Sequence, residues 1–314
     1  MEEALYSDLG FFNTDQVRSD KEGDFLTSPE VSKYFGKIIR NWINSESNLK
    51  NIIEIGSGTG SLIEQIGIKE ITAVELSSTA RKELIKKGIN THTTIDELTT
   101  KTSDLIFGNE ILDNIPCSIG LYRDEVWYEK VVLFEEMSLA YDLKPMRNEE
   151  LDWVNKNNIV PNEDYEFEIQ VNIDKFLNSV IKKINPGKIL LFDYGYEQKN
   201  RDKRMYSSLL RTYKNHHLSV DPIDDPGNVD ITYDVNFSSI SSELKYLGYD
   251  VTLKLQRDFL LDNGFNIFFD ELQEKYIDAE GIEKLKINSE LNGMKAIVDS
   301  NGLGGFYCLI AEKL

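Results

Sequence analysis

The chain has 314 residues, 40% of them hydrophobic, which suits one large α/β domain or two small ones and excludes a disordered chain. Its formal net charge of −19 argues against a nucleic-acid-binding protein and favours a basic protein or peptide as partner. No apolar run approaches the roughly 18 residues of a membrane span, and the acidic start Met1-Glu2-Glu3 predicts no signal peptide.

The two cysteines, Cys117 and Cys308, lie in or near apolar segments. They are expected to be buried reduced thiols, which favours a cytoplasmic location. The three histidines, at positions 92, 216 and 217, lie far from both cysteines in the sequence, so a zinc site is not expected.

The first predicted helix begins with Ser28 as its N-cap and Pro29 in the first helical position. Apolar residues then recur at helical spacing, which predicts one buried face that ends near Asn44-Ser45. The residues of this face are Val31, Tyr34, Phe35, Ile38, Ile39 and Trp42. We interpret residues 1–46 as an N-terminal cap segment and residues 47–314 as the core.

Strands are predicted near 51–55, 70–75, 104–108 and 188–195, with helices near 61–66, 79–87 and 174–184. This alternation predicts an α/β, Rossmann-like fold with a mainly parallel twisted sheet. Two late strands, near 249–255 and 305–311, are expected to form an antiparallel pair that closes the sheet. Two insertions interrupt the pattern: antiparallel strands near 120–145 and a polar, irregular stretch at 196–236 that is typical of a lid or binding loop.

A glycine-rich turn follows the first strand in the run Glu54-Ile55-Gly56-Ser57-Gly58-Thr59-Gly60. Glycines allow positive φ and a close approach of the backbone to a ligand, but their spacing differs from the Gly-x-Gly-x-x-Gly of dinucleotide folds. An acid before the turn suits the amino end of S-adenosylmethionine (SAM), and an acid about 20 residues later suits its ribose hydroxyls. The predicted SAM contacts here are Glu54, Gly56, Ser57, Gly58, Gly60, Glu75 and Leu76. Asp96 is either a contact of the adenine amino group or part of a helix N-terminus ahead of Glu97.

The segment Asn109–Pro116 follows the strand at 104–108, at the carboxyl edge of the sheet where ligands bind. Asn109 and Glu110 are expected beside the cofactor's methyl group. Asp113 shares a face with Glu110 if a helical turn forms there, and carboxylates can orient a guanidinium group. The alternative is a capped short helix with solvated acids.

Several blocks of the chain, taken in order, resemble the MidA family of SAM-dependent methyltransferases, which includes mitochondrial protein arginine methyltransferases tied to assembly of respiratory complex I. The earlier blocks are 23–30, Phe35-Gly36, 54–60, 109–116 and 192–196. The later blocks are 210–213, His216, Asp221-Pro222, Pro226-Gly227, 230–232, 235–237, Gln256 and Phe259-Leu260. The chain departs from the family pattern with Ser57 and Thr59 in place of Pro and Arg, and with Asn236 in place of Asp.

The resemblance implies that residues 27–30, including Thr27 and Pro29, approach the cofactor from the N-terminal side. It also implies that the acceptor pocket is bordered by Asp193, Tyr194, Arg211, Tyr213, His216 and Asp230. His216 is a candidate base, with a structural role as the alternative.

The leading hypothesis is therefore N-methylation of arginine in a protein by direct SN2 transfer, with Asn109, Glu110 and Asp113 beside the acceptor. Two alternatives remain: a small-molecule N- or O-methyltransferase, and a SAM-binding assembly factor without turnover. A homodimer is left open as the oligomeric state.

Overall fold

The structure is a computed structural model that describes residues 1–13, 27–46, 49–99, 101, 103–136, 138–203, 209–214, 217–218 and 221–313. The helices are α1 (Glu2–Tyr6), α2 (Ser28–Val31), α3 (Tyr34–Ser45), α4 (Ser61–Ile66), α5 (Ser78–Lys86), α6 (Asn148–Lys156), α7 (Val171–Ile181), α8 (Phe237–Tyr246), α9 (Gln256–Asp262), α10 (Phe265–Asp278) and α11 (Gly281–Val298). Short 3₁₀ helices cover Phe11–Asn13, Ile95–Glu97, Gln198–Lys203 and Leu303–Gly305.

The strands are β1 (Ile52–Ile55), β2 (Ile71–Val74), β3 (Thr91–His92), β4 (Ser103–Asn109), β5 (Ser118–Arg123), β6 (Val126–Glu135), β7 (Ser138–Pro145), β8 (Glu166–Ile169), β9 (Ile184–Asp193), β10 (Gly195–Tyr196), β11 (Leu210–Lys214), β12 (His217–Leu218), β13 (Asp230–Tyr233), β14 (Val235–Asn236), β15 (Asp250–Leu255) and β16 (Tyr307–Lys313).

A seven-stranded sheet forms the centre, in the order β15-β16-β9-β4-β1-β2-β3. Strands β3, β2, β1, β4 and β9 pair in parallel, and β16 runs antiparallel to both β9 and β15. The predicted Rossmann-like fold is confirmed. The two closing strands pair as expected, although α9, α10 and α11 lie between them in the chain.

Both faces of the central sheet are covered, because successive side chains of a strand point to opposite faces. On β1, Ile52 packs into the cluster formed with α3, α4 and α9–α11, whereas Ile53 packs into the cluster on the side of α7 and α8. On β4, Leu105 packs into the first of these clusters and Ile106 into the second. Each buried aliphatic side chain contributes roughly 1.5–3 kcal/mol, so apolar residues on both faces of these strands stabilise the fold.

The predicted first helix is divided in two. Ser28 is inside α2 and Thr27 is the N-cap, while Ser32 adopts an extended backbone with φ −150° and ψ 120°. The Ser32 hydroxyl accepts a hydrogen bond from the Tyr34 N–H at 3.3 Å, and serine competes in this way with helical hydrogen bonding. The apolar face that begins at Tyr34 is buried as predicted.

The insertion after β4 is a four-stranded antiparallel sheet in the order β7-β6-β5-β8, with α6 packed on it. Strands β5, β6 and β7 lie where the antiparallel strands near 120–145 are predicted. The inserted sheet continues to Ile169, because β8, which follows α6 in the chain, pairs with β5.

The stretch 196–236 is less irregular than predicted. Strands β11 and β13 pair antiparallel there, and β14 pairs in parallel with β10. A short apolar cluster explains the order: Val229 and Ile231 are buried against Leu5 and Phe11 of the N-terminal segment. Within the part of the chain that the structure describes, no helix is both long enough and apolar enough to cross a membrane.

Candidate functional site

The glycine turn sits between β1 and α4. Gly56 has φ +67°, and its N–H donates to the Val74 carbonyl at 2.8 Å, which ties the turn to the end of β2. A Cβ on Gly56 would lie 2.4 Å from the Ile111 side chain. Glycine is therefore required here both by backbone conformation and by the close approach of the segment that follows β4.

Glu75 lies directly after β2 and holds the turn from the other side. Its Oε2 accepts the Gly58 N–H at 2.8 Å, and its Oε1 accepts the Ser77 N–H at 2.7 Å. Burial raises the pKa of Glu75, and these two N–H donors lower it in part. Each carboxylate oxygen keeps a further lone pair that a ligand hydroxyl can use.

Glu54 is the last charged residue before the turn and is 2% exposed. Its Oε2 has no hydrogen-bond partner among the described residues, and burial raises its pKa well above the ordinary value. A buried carboxylate oxygen without a partner is costly, so a cationic ligand group is the natural complement to Glu54.

These residues open onto a cavity of about 330 Å³. Four carboxylates line it, and no Lys, Arg or His of the described residues does. The lining glutamates are Glu30, Glu54, Glu75 and Glu110. The cavity is thus built to hold positive charge.

Most of the predicted cofactor residues lie on this wall: Thr27, Pro29, Glu54, Gly56, Ser57, Gly58, Glu75, Leu76 and Asn109. Two do not. Gly60 caps α4 with φ +85°, where a Cβ would meet Leu84 at 2.8 Å, so its role is in packing. Asp96 is exposed in the 3₁₀ helix Ile95–Glu97, and Ile95 lines the cavity instead.

Glu110 is the second residue of the segment Asn109–Pro116, which we call the acceptor segment. It has φ +52°, an unusual value for a residue with a side chain. Its Oε1 accepts the Asn109 Nδ2 at 3.0 Å and the Ser28 N–H at 3.3 Å. Burial, followed by the nearby Asp113, raises the pKa of Glu110 to about 8. Asn109 Oδ1 is buried without a partner among the described residues, so the wall offers an unused acceptor beside Glu110.

Asp113 is not on the cavity wall. It is 4% exposed, and its Oδ2 accepts the Tyr194 hydroxyl, while Oδ1 has no partner among the described residues. Burial raises the pKa of Asp113 to about 6, and the Tyr194 hydrogen bond opposes that rise. The expectation that Asp113 faces the acceptor together with Glu110 is not met, because the backbone turns at Glu110 instead of continuing as a helix.

The residues predicted to border the acceptor pocket also lie behind the wall. Asp193 and Arg211 are buried, and the Arg211 guanidinium lies 5.2 Å from the Tyr194 ring and donates to Asp234 at 2.8 Å. Asp230 accepts the Asn114 Nδ2 at 2.9 Å, and its backbone pairs with Tyr213. These residues support the acceptor segment from behind, and His216 lies outside the described residues.

The cavity wall also carries three aromatic side chains that the sequence does not predict there, namely Tyr6, Phe12 and Phe176. Each comes from a segment remote in sequence from the glycine turn and from Asn109–Pro116. The local pattern around them carries no ligand-binding signal, so only the fold could bring them to the site.

Comparison with known proteins agrees with this geometry. Residues 36–252, more than half of the chain, match the model of a family described as "Putative S-adenosyl-L-methionine-dependent methyltransferase". S-adenosylmethionine is the cofactor predicted from the glycine turn, and that prediction is confirmed.

Curated relatives are distant but similar over much of the chain. The mitochondrial protein arginine methyltransferase NDUFAF7 homolog of Caenorhabditis elegans is 25% identical over 81% of this chain and 68% of its own length. The Drosophila melanogaster homolog is 25% identical over 70% of this chain, and the match spans 60% of the relative, less than two thirds. The predicted cytoplasmic location is wrong by this comparison, because these relatives are mitochondrial proteins.

A solved structure shares the fold. The crystal structure of a Burkholderia thailandensis protein bound to S-adenosyl-homocysteine superposes with a TM-score of 0.84 at 22% identity, covering 99% of this chain and 86% of that one. The family match and the relatives confirm the resemblance drawn from the sequence blocks. The chain belongs to the MidA family of S-adenosylmethionine-dependent methyltransferases.

Proposed function

We propose that the chain methylates arginine nitrogens in a protein substrate, by direct transfer from SAM. The observation that carries this proposal is the Glu110 carboxylate on the wall of a cavity that no described Lys, Arg or His lines. A guanidinium group is a planar cation that matches carboxylate oxygens in geometry and charge.

The residues present fit SAM. Glu54 Oε2, buried and unpartnered among the described residues, suits the ammonium of the methionyl part, and Glu75 suits the ribose hydroxyls. Gly56 and Gly58 both line the cavity, so the turn presents backbone to it at these two positions. Bound SAM supplies an electrophilic methyl group, so the protein's task is to present the acceptor nitrogen.

In this proposal Glu110 and Asn109 present the acceptor nitrogen. The Asn109 Oδ1 and the Glu110 carboxylate can each accept an N–H of a guanidinium, which orients a third nitrogen. An arriving cation favours the ionised form of Glu110 and lowers its pKa from about 8. A carboxylate whose pKa lies near the working pH can also take the proton that the guanidinium must lose.

The curated relatives add support, since two of them are named protein arginine methyltransferases, in Caenorhabditis elegans and in Drosophila melanogaster. At 25% identity they suggest the acceptor class and name no target for this chain.

The test uses the purified protein, SAM labelled in its methyl group, and heat-treated lysate from a strain that lacks the gene. Glu110→Gln serves as the matched control, because it keeps the side-chain shape and removes the charge. Labelled methylarginine in a protein, present with the wild type and absent with Glu110→Gln, is the expected result. Label found only in small molecules contradicts the proposal in favour of a small-molecule methyltransferase. Absence of any label above the control contradicts it in favour of a SAM-binding protein without turnover.

A further inference from the structure

The N-terminal residues Glu2–Asn13 form a loop that two buried side chains anchor to the rest of the protein. Leu5 and Phe11 are fully buried against Val229 and Ile231. The Asn13 Nδ2 donates to the carbonyls of Tyr6 at 2.8 Å and Ser7 at 3.0 Å, which joins the 3₁₀ helix Phe11–Asn13 to α1.

This loop presents two aromatic rings to the cavity. Tyr6 and Phe12 both line it, and their rings stack with centroids 5.5 Å apart and an interplanar angle of 22°. The Tyr6 hydroxyl donates to the Asn114 carbonyl at 3.1 Å. The pair is therefore attached to the same segment, Asn109–Pro116, that carries Glu110.

Charge and ring chemistry at this wall point to one kind of ligand group. With Glu54 and Glu75 assigned to the cofactor, two wall carboxylates remain, those of Glu30 and Glu110. The rings of Tyr6 and Phe12 add two π surfaces, and Tyr6 is hydrogen-bonded to the segment that carries Glu110. Aromatic faces attract cations, and a planar guanidinium stacks on a ring while its N–H groups point outward to acceptors.

We propose that Tyr6 and Phe12 form an aromatic wall that holds the guanidinium of the methyl acceptor and sets specificity for a planar cation. The proposal deepens the proposed function and rests on it for the identity of the acceptor. It assigns to residues 2–13 a part in substrate recognition.

The experiment measures cation binding apart from methyl transfer. Protein loaded with S-adenosyl-homocysteine is titrated calorimetrically with ethylguanidinium, the head of an arginine side chain. Phe12→Leu removes the ring and keeps an apolar side chain, whereas Phe12→Tyr keeps an aromatic face. Leu9→Ala is the matched control, because Leu9 is 87% exposed in the same loop and does not line the cavity.

We expect Phe12→Leu to weaken ethylguanidinium binding about tenfold, with Phe12→Tyr and Leu9→Ala near the wild type. Affinity for S-adenosyl-homocysteine should be unchanged in all three. A loss of S-adenosyl-homocysteine affinity without a loss for ethylguanidinium would overturn the proposal, since the rings would then contact the cofactor. Equal ethylguanidinium binding in wild type and Phe12→Leu, or none in either, would also overturn it.

The proposed reaction and the aromatic wall can be contradicted independently of one another. Transfer to arginine is read from methylarginine in the lysate assay, and the aromatic wall is read from the titration. If the protein binds ethylguanidinium through Phe12 but forms no methylarginine, the aromatic wall is supported and the proposed reaction is contradicted.

Discussion

The Asp193 carboxylate, at the end of β9, accepts the backbone N–H of Leu112 at 2.8 Å. The same oxygen lies 3.1 Å from the Ile111 nitrogen and 3.4 Å from the Asp113 nitrogen. One buried side chain thus holds the whole turn that presents Glu110 with its positive φ. Strained backbone of this kind persists only where surrounding contacts enforce it.

Asp193→Asn should destabilise the protein by about 1–3 kcal/mol. Both carboxylate oxygens of Asp193 accept backbone N–H groups, the second from Tyr194 at 2.9 Å. In the asparagine variant the side-chain NH₂ would replace one of these oxygens in either orientation, so a donor would face a donor. Urea unfolding followed by circular dichroism measures the change. Asp270→Asn, exposed on α10, is the control, and equal stability of the two variants would show that Asp193 does not hold the turn.

Glu110→Gln should lower kcat/KM at least about a hundredfold while leaving SAM affinity near the wild-type value. The wild-type enzyme should lose kcat/KM as pH falls below about 8, because the free carboxyl is then protonated. Rates across pH 6 to 9 with an arginine peptide check both statements. A wild-type profile that is flat over this range would contradict the assigned role of Glu110.

The same carboxyl predicts a pH-dependent change in stability. The pKa of Glu110 is about 8 in the folded protein, against an ordinary value of 4.5. Its contribution to stability is therefore complete below about pH 4.5 and is lost as pH rises through 8. Glu110→Gln should gain stability relative to wild type between pH 5 and 9, by a few kcal/mol. Chemical denaturation at both pH values measures the gain, and a constant difference would refute the prediction.

Asp113→Asn should shift the acid limb of the kcat/KM profile to lower pH. Asp113 lies behind the wall, yet its charge is the second largest cause of the raised pKa of Glu110. Removing that charge eases ionisation of Glu110, by on the order of one pKa unit. Asp270→Asn again serves as the control. An unshifted limb with a large loss of kcat would instead mean that Asp113 touches the acceptor.

Glu54→Gln should weaken SAM binding at least about tenfold, since a charge-assisted hydrogen bond to the ammonium would be lost. Equilibrium dialysis with labelled SAM gives the dissociation constant directly. Glu64→Gln is the matched control, because Glu64 lies on the adjacent helix α4 and off the cavity wall. Unchanged affinity in Glu54→Gln would remove Glu54 from the cofactor site.

The central sheet was predictable because its signals are local. β1 contains three isoleucines, and β4 has the apolar centre Leu105-Ile106-Phe107. The alternation with helices follows from chain order. The break at Ser32 was not predictable, because the apolar spacing continues through it while the serine hydroxyl redirects the backbone. Paired strands within 196–236 escaped notice for a related reason, since their order depends on packing against Leu5 and Phe11.

In the candidate site, too, some features follow from local sequence and others only from the tertiary structure. The glycine turn and Glu75 are each predicted as cofactor contacts from the strand–turn–strand pattern, and both lie on the cavity wall. Their hydrogen bond to one another appears only in the structure. Asp113 was expected on the wall from helical spacing with Glu110, but the positive φ of Glu110 sends it inward. Asp193 was expected to border the acceptor, and only the tertiary structure shows that it holds the acceptor segment from behind.

The absence of any Lys, Arg or His among the described residues that line the cavity has a consequence for release of the spent cofactor. Methyl transfer turns a sulfonium cation into a neutral thioether, while a methylated guanidinium remains cationic. The four carboxylates therefore attract the cofactor less after the reaction than before it. The charge of the wall therefore favours exchange of the used cofactor for a fresh one.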